Sequence, residues 1–183
     1  MKILTMKFGG TSVADIDRIK AVRDIISDEI RDGWNVVAVV SAMSKETNKL
    51  IDLAKKVGVE NSVDPEYDSL ISTGEDVSSS LLAIALNSIK ISSRSWRGWQ
   101  LPIRTDSFHS NAKIEEIKTN QIINSFKKGV KVAVVSGFQG IEQAGRITTL
   151  GRGGSDTSAV AIAAAIDAER CDIYTDVSGI YTT

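Results

Sequence analysis

The residues best suited to chemistry stand at four turns. The first is Lys7-Phe8-Gly9-Gly10-Thr11-Ser12. Two adjacent glycines let a backbone approach a ligand without Cβ clashes. Lys7 adds a full positive charge, and a helix starting just beyond would offer free N–H groups to an anion. The plain alternative is a tight turn beside a solvated lysine. The G-x-x-x-x-G-K-[ST] spacing of a Walker A loop is absent.

The second turn is Thr149-Leu150-Gly151-Arg152-Gly153-Gly154-Ser155-Asp156-Thr157. The Arg152 fork suits a carboxylate. Ser155 and Asp156 occupy the place of helix N-caps, a role compatible with ligand binding. Three glycines around an arginine exceed what a cap needs. A dinucleotide G-x-G-x-x-G is excluded, because Asp156 falls where the third glycine belongs.

The third is Ser72-Thr73-Gly74-Glu75, ahead of an apolar helix. Glu75 is either a partner for the helix dipole or the counter-ion of a substrate ammonium. The fourth, Ser41 to Asn48, is rich in hydroxyls, as both a ligand loop and a capping loop would be. His109, the sole histidine, lies in a polar stretch and reads as a surface residue. One histidine supports neither a Ser-His-Asp triad nor a metal cluster. Cys171 is the sole cysteine, in an apolar stretch, and reads as a buried inert thiol.

These turns need elements to hold them. Ile3–Phe8, Val36–Val40, Val130–Val135 and Cys171–Thr175 read as strands, the second as a continuous apolar run buried on both faces and the third as a repeat of that buried-strand pattern. Apolar residues every three or four positions from Ile16 to Ile30 make a helix that Gly33 ends, with Thr11, Ser12 and Asp15 as candidate caps. Further helices are expected over Leu50–Val57, Val77–Ile89, Ile114–Phe126 and Ser155–Ala168, a strand over Leu101–Thr105, a loop over 58–69 and a hairpin or loop over 138–150. Alternating strands and helices imply a parallel sheet covered on both sides, with ligands at the C-terminal strand ends. The expected fold is therefore α/β, a three-layer α/β/α sandwich with a mainly parallel sheet, and both glycine-rich turns at one end of it.

The 183 residues suffice for one domain, and a net charge of −1 gives no electrostatic footprint of a nucleic-acid binder. Apolar runs fall far short of the ~20 residues that span a bilayer. A cytoplasmic protein that engages neither nucleic acid nor membrane is the expectation.

Six segments, KFGGTSVAD (Lys7–Asp15), VSAMSKETNKL (Val40–Leu50), STGE (Ser72–Glu75), GWQ (Gly98–Gln100), GRGGSDT (Gly151–Thr157) and YTDVSGIYT (Tyr174–Thr182), together resemble the aspartate kinase family, within the amino-acid kinase superfamily. The resemblance runs the length of the chain. It implies transfer of a phosphoryl group from ATP, with Mg²⁺ carried by the nucleotide, to the side-chain carboxylate of L-aspartate, giving 4-phospho-L-aspartate for lysine, threonine and methionine synthesis. It implies catalytic roles for Lys7, on the transferring phosphoryl group, and for Asp156, which orients the lysines. Gly9, Gly10 and Ser12 would line the phosphate site with Lys7, and Thr175, Asp176 and Tyr181 would touch the nucleotide. Ser41, Thr47, Glu75, Arg152, Gly154 and Ser155 would face the aspartate. No residue is implied as a metal ligand, and a homo-oligomer is expected.

Two departures stand out: no glycine at Ser44-Lys45-Glu46, and Ser178 in place of a frequent aspartate. Family members continue beyond the equivalent of Thr183, into more of the kinase domain and regulatory ACT domains. The expectation is thus a truncated catalytic domain over 1–183 without ACT domains, with weak ATP affinity. The alternatives are another amino-acid kinase and a non-catalytic fragment that binds a ligand or partner.

Overall fold

The computed structural model describes residues 1–59 and 63–175. Five parallel strands form the central sheet: β1 (Ile3–Phe8), β2 (Asn35–Val40), β3 (Ser93–Trp96), β6 (Val132–Ser136) and β9 (Arg170–Tyr174), in the order β3-β6-β2-β1-β9. A second, smaller sheet holds β4 (Ile103–Thr105), β5 (Ile114–Ile117), β7 (Gln139–Ile141) and β8 (Ile147–Thr149). The helices are α1 (Ile16–Arg31), α2 (Glu46–Lys56), α3 (Pro65–Ile71), α4 (Thr73–Ser88), α5 (Asn120–Lys127) and α6 (Gly154–Ala165).

Strand parity builds the three layers. Leu4, Met6 and Phe8 of β1 join Val36, Ala38 and Val40 of β2 in one core, closed by Ile19, Val22 and Ile26 of α1 and Leu82 and Leu86 of α4. Val37 and Val39 point the other way, into a core shared with Ile122 and Phe126 of α5 and Ala159 and Ile162 of α6. Period-two alternation on strands and period 3.6 on helices explain both sets. Lys7 has the parity of Ile3, which lies in the α6 core, so β1 directs the lysine toward the α6 side of the sheet.

The α/β/α sandwich and its mainly parallel sheet are as expected from the sequence, and so is the hairpin within 138–150, formed by β7 and β8. Several local readings are corrected. Residues 65–69, read within a loop, belong to α3, which Pro65 opens at its first turn and Asp64 caps by accepting from the Glu66 N–H at 2.8 Å. The helix expected from Ile114 to Phe126 is two elements, β5 and then α5, because Ile114 and Ile117 pair with β4. Strand β3 was not anticipated. The cap of α1 is Asp15, whose carboxylate accepts from the Arg18 N–H at 2.8 Å, and not Thr11 or Ser12. Cys171 lies on the outer strand β9 and is exposed, not buried. Among the described residues, no helix is long and apolar enough to cross a membrane.

Candidate active site

The C-terminal ends of β1, β2 and β9 open onto one cavity of about 780 Å³, a size typical of small-molecule sites. Its walls bring together the turns singled out in the sequence. Lys7, Gly9 and Gly10 come from the first, Ser41 and Thr47 from the fourth, Glu75 from the third, and Arg152, Gly154, Ser155 and Asp156 from the second. Thr175 also lines it. Ser12 stays outside the lining, since the chain folds back at once: its N–H donates to Gly9 O at 2.9 Å. Asp176 and Tyr181 lie outside the described residues. The shared position of the two glycine-rich turns at one end of the sheet is as expected.

Lys7 is nearly enclosed, with 11% of its side chain exposed, and its Nζ lies 2.7 Å from Asp156 Oδ1. No well-aligned hydrogen bond accompanies that contact, so the pair is held by charge. Asp156 sits in the first turn of α6, the helix packed against β1, and meets the lysine for that reason. The cap of α6 is Gly153, in a left-handed conformation with φ 74°, so Ser155 and Asp156 occupy its first turn and not the cap itself. The helix N-terminus, the Lys7 ammonium and the Gly9-Gly10 turn converge on one wall. That combination suits the phosphates of a nucleotide.

Across the cavity, Glu75 is only 4% exposed. Its Oε1 accepts from the Ala42 N–H at 3.0 Å, while the buried Oε2 has no hydrogen-bond partner among the described residues. Burial pushes the Glu75 carboxyl up to about 8; the Ala42 hydrogen bond opposes the shift and the neighbouring Asp76 charge adds to it. Gly74 makes this geometry possible, because a Cβ there would come within 2.8 Å of Ala42 Cβ. A half-satisfied buried carboxylate facing a cavity is a receptor for a cationic group. Arg152, exposed on the rim, forms no ion pair with any described carboxylate and is available to an anion. Lys45 has a left-handed backbone, φ 67°, in the glycine-free turn Ser44-Lys45-Glu46. Among the described residues, no group of three His, Cys, Asp or Glu could hold a metal ion.

Several wall residues escaped the sequence reading, among them Tyr67, Ser110 and Phe138. His109 is corrected as well. It is not a surface residue, for its side chain is 11% exposed and its Nδ1 lies 3.0 Å from the fully buried Asp68 carboxylate. The one local signal for this region was Asp64-Pro65, a helix-start pair that places Asp68 on a helix.

The comparisons agree with this geometry. The family model described as "Amino acid kinase family" matches residues 2–183. An aspartokinase from Bacillus sp. (strain MGA3) is 50% identical over 183 residues, covering 100% of this chain and 44% of the relative. An aspartokinase from Rickettsia conorii is 49% identical over 184 residues, covering 100% of this chain and 46% of the relative. The structure of E. coli aspartokinase III in complex with aspartate and ADP superposes with a TM-score of 0.85 at 28% identity, over 99% of this chain and 51% of that one. The aspartate kinase from Synechocystis gives 0.79 at 43% identity, over 95% of this chain and 28% of that one. The chain thus spans a little under half of the length of these curated relatives.

Proposed function

The chain belongs to the amino acid kinase family, and on that premise we propose that it carries the aspartate side and the phosphate side of an aspartate kinase site. The reaction is phosphoryl transfer from ATP to the side-chain carboxylate of L-aspartate. The observation that carries this reading is the pairing, on one cavity, of the half-satisfied Glu75 carboxylate with the Arg152 guanidinium, which has no ion-pair partner among the described residues. An amino acid presents an ammonium and an α-carboxylate, and these two groups answer to it. The aspartokinase names of the relatives and the aspartate and ADP named in the E. coli complex support the same substrates.

The geometry supports the following residue roles. The attacking group is a carboxylate, ionised at neutral pH, so no general base is required. Its oxygen forms a bond to the γ-phosphorus while the bond from that phosphorus to the ADP oxygen breaks. Mg²⁺ carried by the nucleotide would neutralise phosphate charge and orient the phosphates. Lys7 neutralises charge on the transferring phosphoryl oxygens, and Asp156 holds the ammonium in place for that task. Gly9, Gly10 and the first turn of α6 present backbone N–H groups to the phosphates. Glu75 takes the substrate ammonium, Arg152 the α-carboxylate, and Ser41, Thr47 and Ser155 offer hydroxyls around them.

Hydroxylamine trapping of the acyl phosphate tests the proposal on the native protein containing this chain. With Mg-ATP we expect hydroxamate from L-aspartate and at most a trace from L-glutamate or N-acetyl-L-glutamate. Faster trapping with either competitor would overturn the substrate assignment.

A further inference from the structure

We infer that Asp68 is a positioning residue that sets the place of the Arg152 turn, and hence the affinity for the amino-acid substrate. The inference rests on the reading of Arg152 as the clamp for the substrate α-carboxylate. Asp68 is fully buried in α3 and ties together two distant segments. Its Oδ2 accepts from the Thr149 N–H at 2.9 Å, from the Ser110 N–H at 2.9 Å and from His109 Nδ1, 3.0 Å away. Its Oδ1 accepts from the Thr149 hydroxyl at 2.7 Å and from the Ser110 hydroxyl at 3.1 Å. The Ser110 N–H also reaches Oδ1, at 3.1 Å.

Both segments converge on the residue just before Arg152. Thr149 is two residues from Gly151, and Thr149 O accepts from the Ala112 N–H at 2.9 Å, which closes the junction from the other side. The 110–111 segment runs so close to Gly151 that a Cβ there would lie 3.2 Å from the Ser110 carbonyl oxygen and 2.9 Å from the Asn111 side-chain Oδ1, and Gly151 itself has φ 72°. The course of the 151–154 turn is therefore dictated by how 110–111 and 149 sit against each other. One carboxylate fixes that relation. Ser110 and Thr149 also line the cavity, so Asp68 holds its wall from behind without reaching the ligand. A carboxylate in this place offers only acceptors to two N–H groups, two hydroxyls and an imidazole nitrogen, whereas an amide would turn an NH₂ toward one of those donors.

The nucleotide side lies elsewhere. Lys7, Gly9 and Gly10 are held by β1 and by Asp156 of α6, and none of them bonds to Asp68. Disturbing Asp68 should therefore act on one substrate and spare the other. A general loss of folded protein would lower active concentration and leave both KM values where they were.

The test compares wild type, Asp68→Asn and Thr149→Val in the native protein, measuring KM for the amino acid and for ATP separately, and Kd for the amino acid by calorimetry. Asp68→Asn should raise aspartate KM and Kd by about tenfold or more with ATP KM within about twofold, and Thr149→Val, which loses one donor, by about threefold in the same direction. Equal movement of both KM values, or an unmoved aspartate Kd, overturns the inference. Should Asp68→Asn fail to fold by circular dichroism, Thr149→Val decides alone, and an unmoved aspartate Kd there is the contrary result. The calorimetry is run with whichever of aspartate, glutamate or acetylglutamate the wild type binds. Failure of the aspartate reading therefore leaves the Asp68 comparison intact and is seen separately.

Discussion

Two carboxylates buried within one α3–α4 segment do opposite things. Asp68 is fully enclosed and receives hydrogen bonds from His109, Ser110 and Thr149 on both of its oxygens. Glu75, seven positions later and almost as deep, receives one bond from Ala42 on one oxygen and leaves the other without a partner. Burial displaces the Glu75 carboxyl upward, to about 8. A buried charge with a full complement of donors is a structural knot. A buried charge with half of them, facing a cavity, is held ready for something that arrives later.

Removing the knot should do the most damage. Asp68→Ala strands five donor groups that have no water to turn to, and should lower unfolding free energy by ~3–5 kcal/mol. Urea melting would read this, and a loss below about 1 kcal/mol would mean that the network is far weaker than its geometry. On the cavity side the effect should fall on rate and not on fold. Lys7→Met should reduce turnover by ~10²–10³ with the urea midpoint close to wild type. Turnover within a factor of about two would make Lys7 an ordinary turn lysine.

Glu75→Gln separates the two carboxylates most clearly. The Glu75 pKa is raised in the folded state, so its favourable contribution is complete below about 4.5 and is lost as pH climbs through about 8. The Gln variant should therefore lose that downward slope and surpass wild type in stability near pH 9, while binding aspartate more weakly. The smallest change concerns the loop between them and the phosphate wall. Lys45→Gly, at φ 67°, should raise unfolding free energy by up to ~1 kcal/mol with little change in turnover. A loss of stability would show that the lysine side chain earns its left-handed backbone through contacts.

The two regions were also unequally legible in the sequence. Lys7, Arg152 and Asp156 sit in or beside short glycine-rich turns that follow strands, so local pattern and the parallel-sheet rule bring them together, whereas Glu75 lies in the first turn of α4, directly after α3, where only its place at a helix start was legible. Asp68 reaches its partners across 41, 42 and 81 residues, and nothing in local periodicity reports such a pairing. Its helix was hidden in a polar stretch of which only Asp64-Pro65 marked the start. The same limit explains β3 and β5. Ser93–Trp96 is four residues long with little alternation, and the three-residue spacing of Ile114 and Ile117 imitates a helix until β4 claims them. His109 looked like a surface residue because the carboxylate that buries it belongs to a segment 41 residues away.

The central claim is that the free oxygen of Glu75 awaits a substrate ammonium. The most direct measurement is calorimetric titration with L-aspartate across pH 6 to pH 9, for wild type and Glu75→Gln, with the proton count taken from buffers of different ionisation enthalpy. An ammonium binds the ionised carboxylate, and Glu75 is mostly protonated below about 8. Wild-type affinity should therefore tighten by up to about tenfold per pH unit until about pH 8, releasing close to one proton on binding, while the Gln variant binds weakly with little pH dependence. A wild-type affinity that is flat over this range, with no proton released and no loss in the Gln variant, would contradict the account.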